Sequence, residues 1–169
     1  MTPLVRPLGG DDRGWVRDFI RDRWGDETVV GHGVVFRPAT LPGLVLIDER
    51  GNPAGLLTYA IDADACEIVT IDAVVEGRGY GSRLLDEVSR VAGDAGCSRL
   101  RLITTNDNER AIGFYLARGF EVVEIREGAI EASRRLKPSI PLVNDHGVPI
   151  TDEIEMERLL SSGDGTLPS

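Results

Sequence analysis

Apolar positions along the chain switch between helical and strand periods. Leu4 to Leu8 fits a short first strand. Trp15, Val16, Phe19, Ile20 and Trp24 then recur three or four residues apart, one face of a helix with Asp11 as its cap. His32 to Pro42, broken by glycine and proline, reads as loop with room for one short strand. Leu44 to Asp48 and Ala54 to Ile61 form an antiparallel hairpin across Arg50-Gly51-Asn52. A third run, Glu67 to Val75, is rich in β-branched residues and follows an acidic connection containing Asp62 and Asp64.

After a glycine-rich stretch, Leu84, Leu85, Val88, Val91, Ala92 and Ala95 return to helical spacing, and Gly96 ends that helix. Arg99 to Thr104 alternates as a strand. Asn106, with Glu109 three residues on, resembles a capping box for a helix from Asp107 to Arg118, which Gly119 stops. Phe120 to Glu127 is a further strand, so the middle of the chain reads β-β-β-α-β-α-β: a mixed α/β layer, not a series of βαβ units. Beyond it come a short helix at Ala129 to Leu136, a loop punctuated by Pro138, Pro141 and Pro149, a last strand at Asp152 to Glu157, and a flexible tail over 161–169.

With 169 residues, 41% of them hydrophobic, the chain can bury one core, so a single domain is expected over 1–160. A net charge of -9 argues against broad attraction to nucleic acid or an anionic membrane, and suits a cationic or amine-bearing substrate. Cys66 and Cys97 lie too far apart for a CxxC pattern and only His32 and His146 join them, so no metal site is expected. A reduced, cytoplasmic protein is the simplest reading, since no stretch approaches the roughly 18 apolar residues of a membrane span.

Gly77, Gly79 and Gly81 alternate with Arg78 and Tyr80 between an apolar strand and an amphipathic helix, where backbone N–H groups can converge on an anion. The plain alternative is a strand-to-helix turn whose glycines only permit positive φ. A dinucleotide fingerprint fits poorly: counted from Gly77 its third small position falls on Ser82 and counted from Gly79 on Leu84, and the next strand carries no acidic residue. A P-loop is excluded because no GK[ST] occurs.

Strand, glycine turn, helix and strand, followed by Asn-Asp-Asn-Glu-Arg-Ala-Ile-Gly-Phe-Tyr-Leu-Ala-Arg-Gly-Phe (Asn106 to Phe120), together resemble the GNAT (GCN5-related N-acetyltransferase) enzymes. The resemblance covers Leu4 to Glu127, and 128–160 looks like the tail of one of the family's bacterial branches. It implies a single-domain α/β (α+β) fold whose mixed, mostly antiparallel central sheet is flanked by helices. It also implies acetyl-coenzyme A as acyl donor, held through its pyrophosphate by main-chain amides of Gly77, Arg78, Gly79, Tyr80, Gly81 and Ser82. Glu76 departs from the arginine or glutamine usual in that turn.

By the same resemblance Tyr115 is the general acid that protonates the departing thiolate, its alternative being a core tyrosine beside Phe114. Asn108 touches the pantetheine arm or simply caps its helix. Main-chain groups of Ile71 to Val74, among them those of Ile71, Ala73 and Val74, bond the pantetheine along a splayed strand. Glu67 is the candidate base for the acceptor ammonium, against a salt-bridged strand glutamate; Asp72, of opposite pleat parity, is expected on the other face. His32 could line a substrate mouth. The expected reaction is direct transfer of an acetyl group to a primary amine of a small molecule or peptide in a ternary complex. A non-catalytic acyl-coenzyme A-binding regulator is the alternative. Homodimers are common in such families, and the final strand could pair across chains.

Overall fold

In the computed structural model, which describes residues 2–160, alternating runs become strands β1 (Leu4–Pro7), β4 (Gly43–Ile47), β5 (Pro53–Asp62), β6 (Ala65–Ala73), β7 (Arg99–Thr105), β8 (Glu121–Arg126) and β9 (Glu153–Leu159) of one seven-stranded sheet. A separate hairpin joins β2 (Val29–Gly31) to β3 (Val34–Phe36), in the segment read as loop. The sheet order is β1-β4-β5-β6-β7-β9-β8, and every neighbouring pair is antiparallel except β6–β7. A mixed, mostly antiparallel sheet flanked by helices is thus the architecture observed.

Helix α2 (Tyr80–Asp94) sets Leu84, Leu85, Val88 and Ala92 against Leu44, Leu57, Cys66 and Leu100, all buried. Helix α3 (Glu109–Leu116) adds Tyr115 to the same core. The opposite face is covered by α1 (Arg13–Trp24), whose Val16 and Ile20 bury Leu56. Its N-terminus is organised by Asp12 and not, as expected, Asp11: the Asp12 carboxylate accepts from the Gly9 amide at 2.7 Å and pairs with Arg6 at 2.8 Å, which a one-turn 3-10 helix at Gly10–Asp12 brings into range. Helix α3 likewise begins two residues later than predicted. Its cap is Asn108, which accepts from the Ala111 amide, while Asn106 instead accepts from the amides of Thr151 and Asp152 and ties the loop before β9 to the end of β7.

Residues past Glu127 build α4 (Ile130–Leu136) and then return β9 to the middle of the sheet, between β7 and β8. Both edges of β9 are therefore paired within the chain, and it is not free to pair with a second copy. Lys137, the single lysine, is buried after α4 and donates to the carbonyls of Trp24 and Thr28 at 2.9 and 2.5 Å, clamping the C-terminus of α1. The tail expected to be flexible, 161–169, lies outside the described residues. No helix among the described residues is long and apolar enough to cross a membrane.

One irregularity governs the site. The β5–β6 register runs Thr58↔Thr70 and then Tyr59↔Ile68, leaving Val69 as an extra residue on β6. A bulge inverts pleat parity for everything beyond it. Ala60, Thr58 and Leu56, on the α1 face of β5, stand opposite Glu67, Thr70 and Asp72. Glu67 and Asp72 consequently share a face, contrary to the parity argument from sequence.

Candidate active site

Parallel pairing of β6 with β7 ends at Ile68 and Leu102. Beyond it β6 stays with β5 and β7 stays with β9, so the two strands diverge. A cavity of about 490 Å³ occupies the divergence, walled by the ends of α1, α2 and α3. The Val74 amide donates to Ala54 at 2.8 Å, which by antiparallel alternation turns the main-chain groups of Ile71 and Ala73 toward the opening and takes the Val74 amide out of use.

The glycine turn supplies the far wall. Gly77 and Gly79 have φ of 81° and 75°, left-handed values that a side chain would strain, and Gly79 is the residue from which α2 starts. The first amides of a helix have no intrahelical acceptor, and no side chain caps α2. Gly77, Gly79, Tyr80, Gly81 and Ser82 line the cavity with this positive helix end. The Tyr80 ring is buried in the core, so only its backbone is offered; the Arg78 side chain lies outside the cavity lining, exposed, 4.0 Å from Glu49.

Arg118, given no role from the sequence, stands at this wall. It stacks 3.6 Å over the Phe114 ring and donates to Ser82 Oγ at 2.8 Å. Its signal lay inside the quoted Ala-Arg-Gly-Phe run. Arg110 bonds Glu76 at 2.5 Å, offsetting the carboxylate that departs from the usual turn. A basic group beside a helix N-terminus is an arrangement chemically suited to an anion.

Tyr115 lies across the cavity, 7% exposed, with Phe114 and Phe120 edge-on to its ring at 5.3 and 5.4 Å. Its hydroxyl has no hydrogen-bond partner among the described residues, yet it is not among the fully enclosed unpaired atoms, as befits a group at the cavity wall. Burial raises its pKa, and the charge of Asp72 adds to the effect. Asp72 itself lines the cavity, accepting from Trp24 Nε1 at 3.0 Å, and burial raises its pKa too, opposed by that bond and by Arg23. Asn108 borders the cavity but spends its oxygen on the α3 cap.

Glu67 is not in this cavity. It borders a smaller hollow of about 20 Å³ on the hairpin side, which shares Ile68, Val69 and Ile103 with the larger one. Its Oε1 accepts from Arg101 at 3.1 Å and sits 3.2 Å from His32 Nε2. The acidic connection serves a local purpose: Asp64 accepts from the Ser98 hydroxyl at 2.7 Å.

Comparison with known proteins gives the arrangement relatives. Residues 12–120 match the profile of the acetyltransferase (GNAT) family. The chain is 40% identical over 143 residues to the YdhI protein of Bacillus subtilis strain 168, covering 85% of this chain and 89% of that one. Its fold resembles the ribosomal-protein-S18-alanine N-acetyltransferase of Escherichia coli (TM-score 0.67, 17% identity, 95% of each chain covered). It also resembles a phosphinothricin acetyltransferase of Sinorhizobium meliloti in complex with acetyl-coenzyme A (TM-score 0.68, 18% identity, 100% of this chain and 94% of that one).

Proposed function

Because the chain belongs to the GNAT acetyltransferase family, we propose that it moves an acetyl group from acetyl-coenzyme A directly to the primary amine of a small-molecule or peptide acceptor, with both substrates bound at once. The observation that carries this reading is the divergence of β6 from β7 beside the uncapped N-terminus of α2. It offers, in one cavity, strand main-chain groups for an extended amide-bearing arm and helix amides with Arg118 for a pyrophosphate. The fit of these residues to the cofactor is supported by the acetyl-coenzyme A bound in the Sinorhizobium structure of like fold.

In this reading the amine attacks the thioester carbonyl, the C–N bond forms as the C–S bond breaks, and the sulfur departs as thiolate. Tyr115 gives it a proton. Raising the phenol's pKa keeps the donor protonated at neutral pH, at the cost of a more uphill transfer, so placement beside the sulfur matters more than acidity. The free amides of the divergent strand polarise the carbonyl, and positioning supplies most of the rate. Glu67, which borders the smaller hollow on the hairpin side, takes the acceptor's proton directly or through water. An acidic chain of net charge -9 favours a cationic acceptor.

Calorimetric titration of acetyl-coenzyme A into wild type and Gly79→Glu tests the proposal. A Cβ at Gly79 meets nothing within 4 Å, so the variant suffers only the strain of a positive φ, about 1–2 kcal/mol, while placing a carboxylate among the amides. Micromolar binding in wild type, lost in a folded variant, supports the site; no binding to wild type overturns it. Binding without turnover of any amine in a broad acceptor screen would instead favour an acyl-coenzyme A-binding regulator.

A further inference from the structure

His32 occupies a position that its own backbone disfavours. The β2–β3 turn is His32-Gly33 with φ of 35° and 80°, positive at both central residues as a type I′ hairpin turn requires, and the residues suited to the first of these are asparagine, aspartate and glycine. Positive φ is uncommon for any residue but glycine, although histidine is among the few that tolerate it, and such a conformation kept at a turn tip points to a use for the side chain. The use is visible 35 residues later in the sequence, where the ring's Nε2 meets Glu67 Oε1 at 3.2 Å. The turn is also anchored from behind, its His32 amide donating to the buried Glu153 at 2.9 Å.

We infer that His32 is a positioning residue that holds Glu67 for deprotonation of the acceptor amine and conducts the proton out to solvent. The inference rests on the acetyl-transfer reading above. Arg101 and His32 both engage Oε1, so Oε2 has no partner among the described residues, on a side chain only 7% exposed. Glu67 borders the hollow of about 20 Å³ that shares Ile68, Val69 and Ile103 with the cavity lining, at the bulge where β6 and β7 part. That volume holds one water-sized group, the size of an ammonium head or of a single relaying water.

The proton balance is simple. The ammonium releases a proton to Glu67 Oε2, leaving a neutral amine with a free lone pair and a carboxylic acid. Turning of the carboxyl group brings that proton to the oxygen beside His32; Nε2 takes it as the ring, 29% exposed, releases its Nδ1 proton to water, and the carboxylate is restored. Arg101 from β7 favours that restoration. The remaining charges facing His32 are Glu153 from β9, at its amide, and Arg126 from β8, which pairs with Glu153 at 3.0 Å.

Two experiments decide the matter. The chain has only two histidines, and His146 is exposed on the tail loop, so its ring NMR signals serve as an internal reference. At one fixed pH, Glu67→Gln should shift the His32 ring signals while those of His146 stay; unmoved His32 signals overturn the inference without any acceptor being known. Second, His32→Asn places the favoured Asn-Gly pair in the turn, so it should melt no lower and bind acetyl-coenzyme A as wild type does. Its kcat, with the primary amine that supports turnover in the acceptor screen, should fall at neutral pH by at least about ten-fold. The deficit should shrink as rising pH deprotonates the amine in solution, and added imidazole should restore part of the rate in His32→Gly. A loss uniform across pH, a loss confined to KM, or no loss overturns the inference. Failure of wild type to bind acetyl-coenzyme A would sink the acetyl-transfer reading alone, since the NMR comparison judges the His32–Glu67 pair by itself.

Discussion

Replacing Gly81 by alanine tests how tightly the glycine turn is fitted to α3. Gly81 lies in the first turn of α2 with no positive φ, so backbone strain plays no part and helix propensity alone would favour alanine by about 1 kcal/mol. Against this, a Cβ at Gly81 would lie 2.9 Å from Phe114 Cζ and 3.3 Å from Cε1. Comfortable carbon contacts need about 3.5–4.0 Å, so the ring must retreat by roughly 0.6 Å or more. It cannot do so freely, because Arg118 lies 3.6 Å over its face and Tyr115 meets it at 5.3 Å. Overpacking of this kind costs about 1–3 kcal/mol, so the net effect is a loss of about 0–2 kcal/mol. For a chain of this size each kcal/mol lowers Tm by roughly 2–4 °C. Differential scanning calorimetry should show that fall, and acetyl-coenzyme A should bind more weakly because Arg118 and Tyr115 move with the ring. A Tm raised by the propensity gain, with binding unchanged, would refute the reasoning: the α2–α3 contact would then be loose, and the glycine there idle.

Tyr115→Phe should lower kcat by about 10²-fold or more while leaving acetyl-coenzyme A affinity unchanged by calorimetry. The same residue sets an alkaline limit: a folded pKa above the unfolded one gives stability that is complete below about pH 10 and is lost as pH rises toward the folded value, so melting curves above pH 10 should be flatter with pH in Tyr115→Phe. Asp12 has the opposite sign. Its bonds to Arg6 and the Gly9 amide hold its pKa at about 2, so Asp12→Asn should lower Tm at neutral pH, and the difference should fade as pH falls from about 4 through 2. Lys137→Met strips the donor from two carbonyls at the end of α1 and should cost about 1–3 kcal/mol in urea denaturation, although the residue is remote from the glycine turn.

Most of this architecture was legible because its elements bury one face each. The spacing of Leu84, Leu85, Val88 and Ala92 marked α2 as surely as the packing did, and Gly79 marked its start. The bulge at Val69 left a fainter trace. Polar Glu67 is followed by two apolar residues, Ile68 and Val69, before polar Thr70 and Asp72 resume the alternation; a strict count of two carried through that slip puts Asp72 on the wrong face. Asn106 and Asn108 are equally good caps in sequence; only the loop before β9, some 45 residues later, takes Asn106 away. Separations of 34 and 35 residues hid Arg101 and His32, whose common partner Glu67 is brought to them by the parallel pairing of β6 and β7 and by a hairpin too short to register as strands.

The placement of β9 also bears on how the protein is made. Strands β7 and β8 never touch as neighbours; the strip between them is filled by β9, which is synthesised after both. Until then β8 has no partner and β7 presents a bare ladder on the side that β9 will occupy. The divergence that forms the cavity depends on β7 being held by β9 at Ile103 to Thr105, so the nascent chain can own every residue of the cleft and still not have the cleft. Return of β9 to the middle of the sheet, more than the order of the motifs, is what opens the cleft.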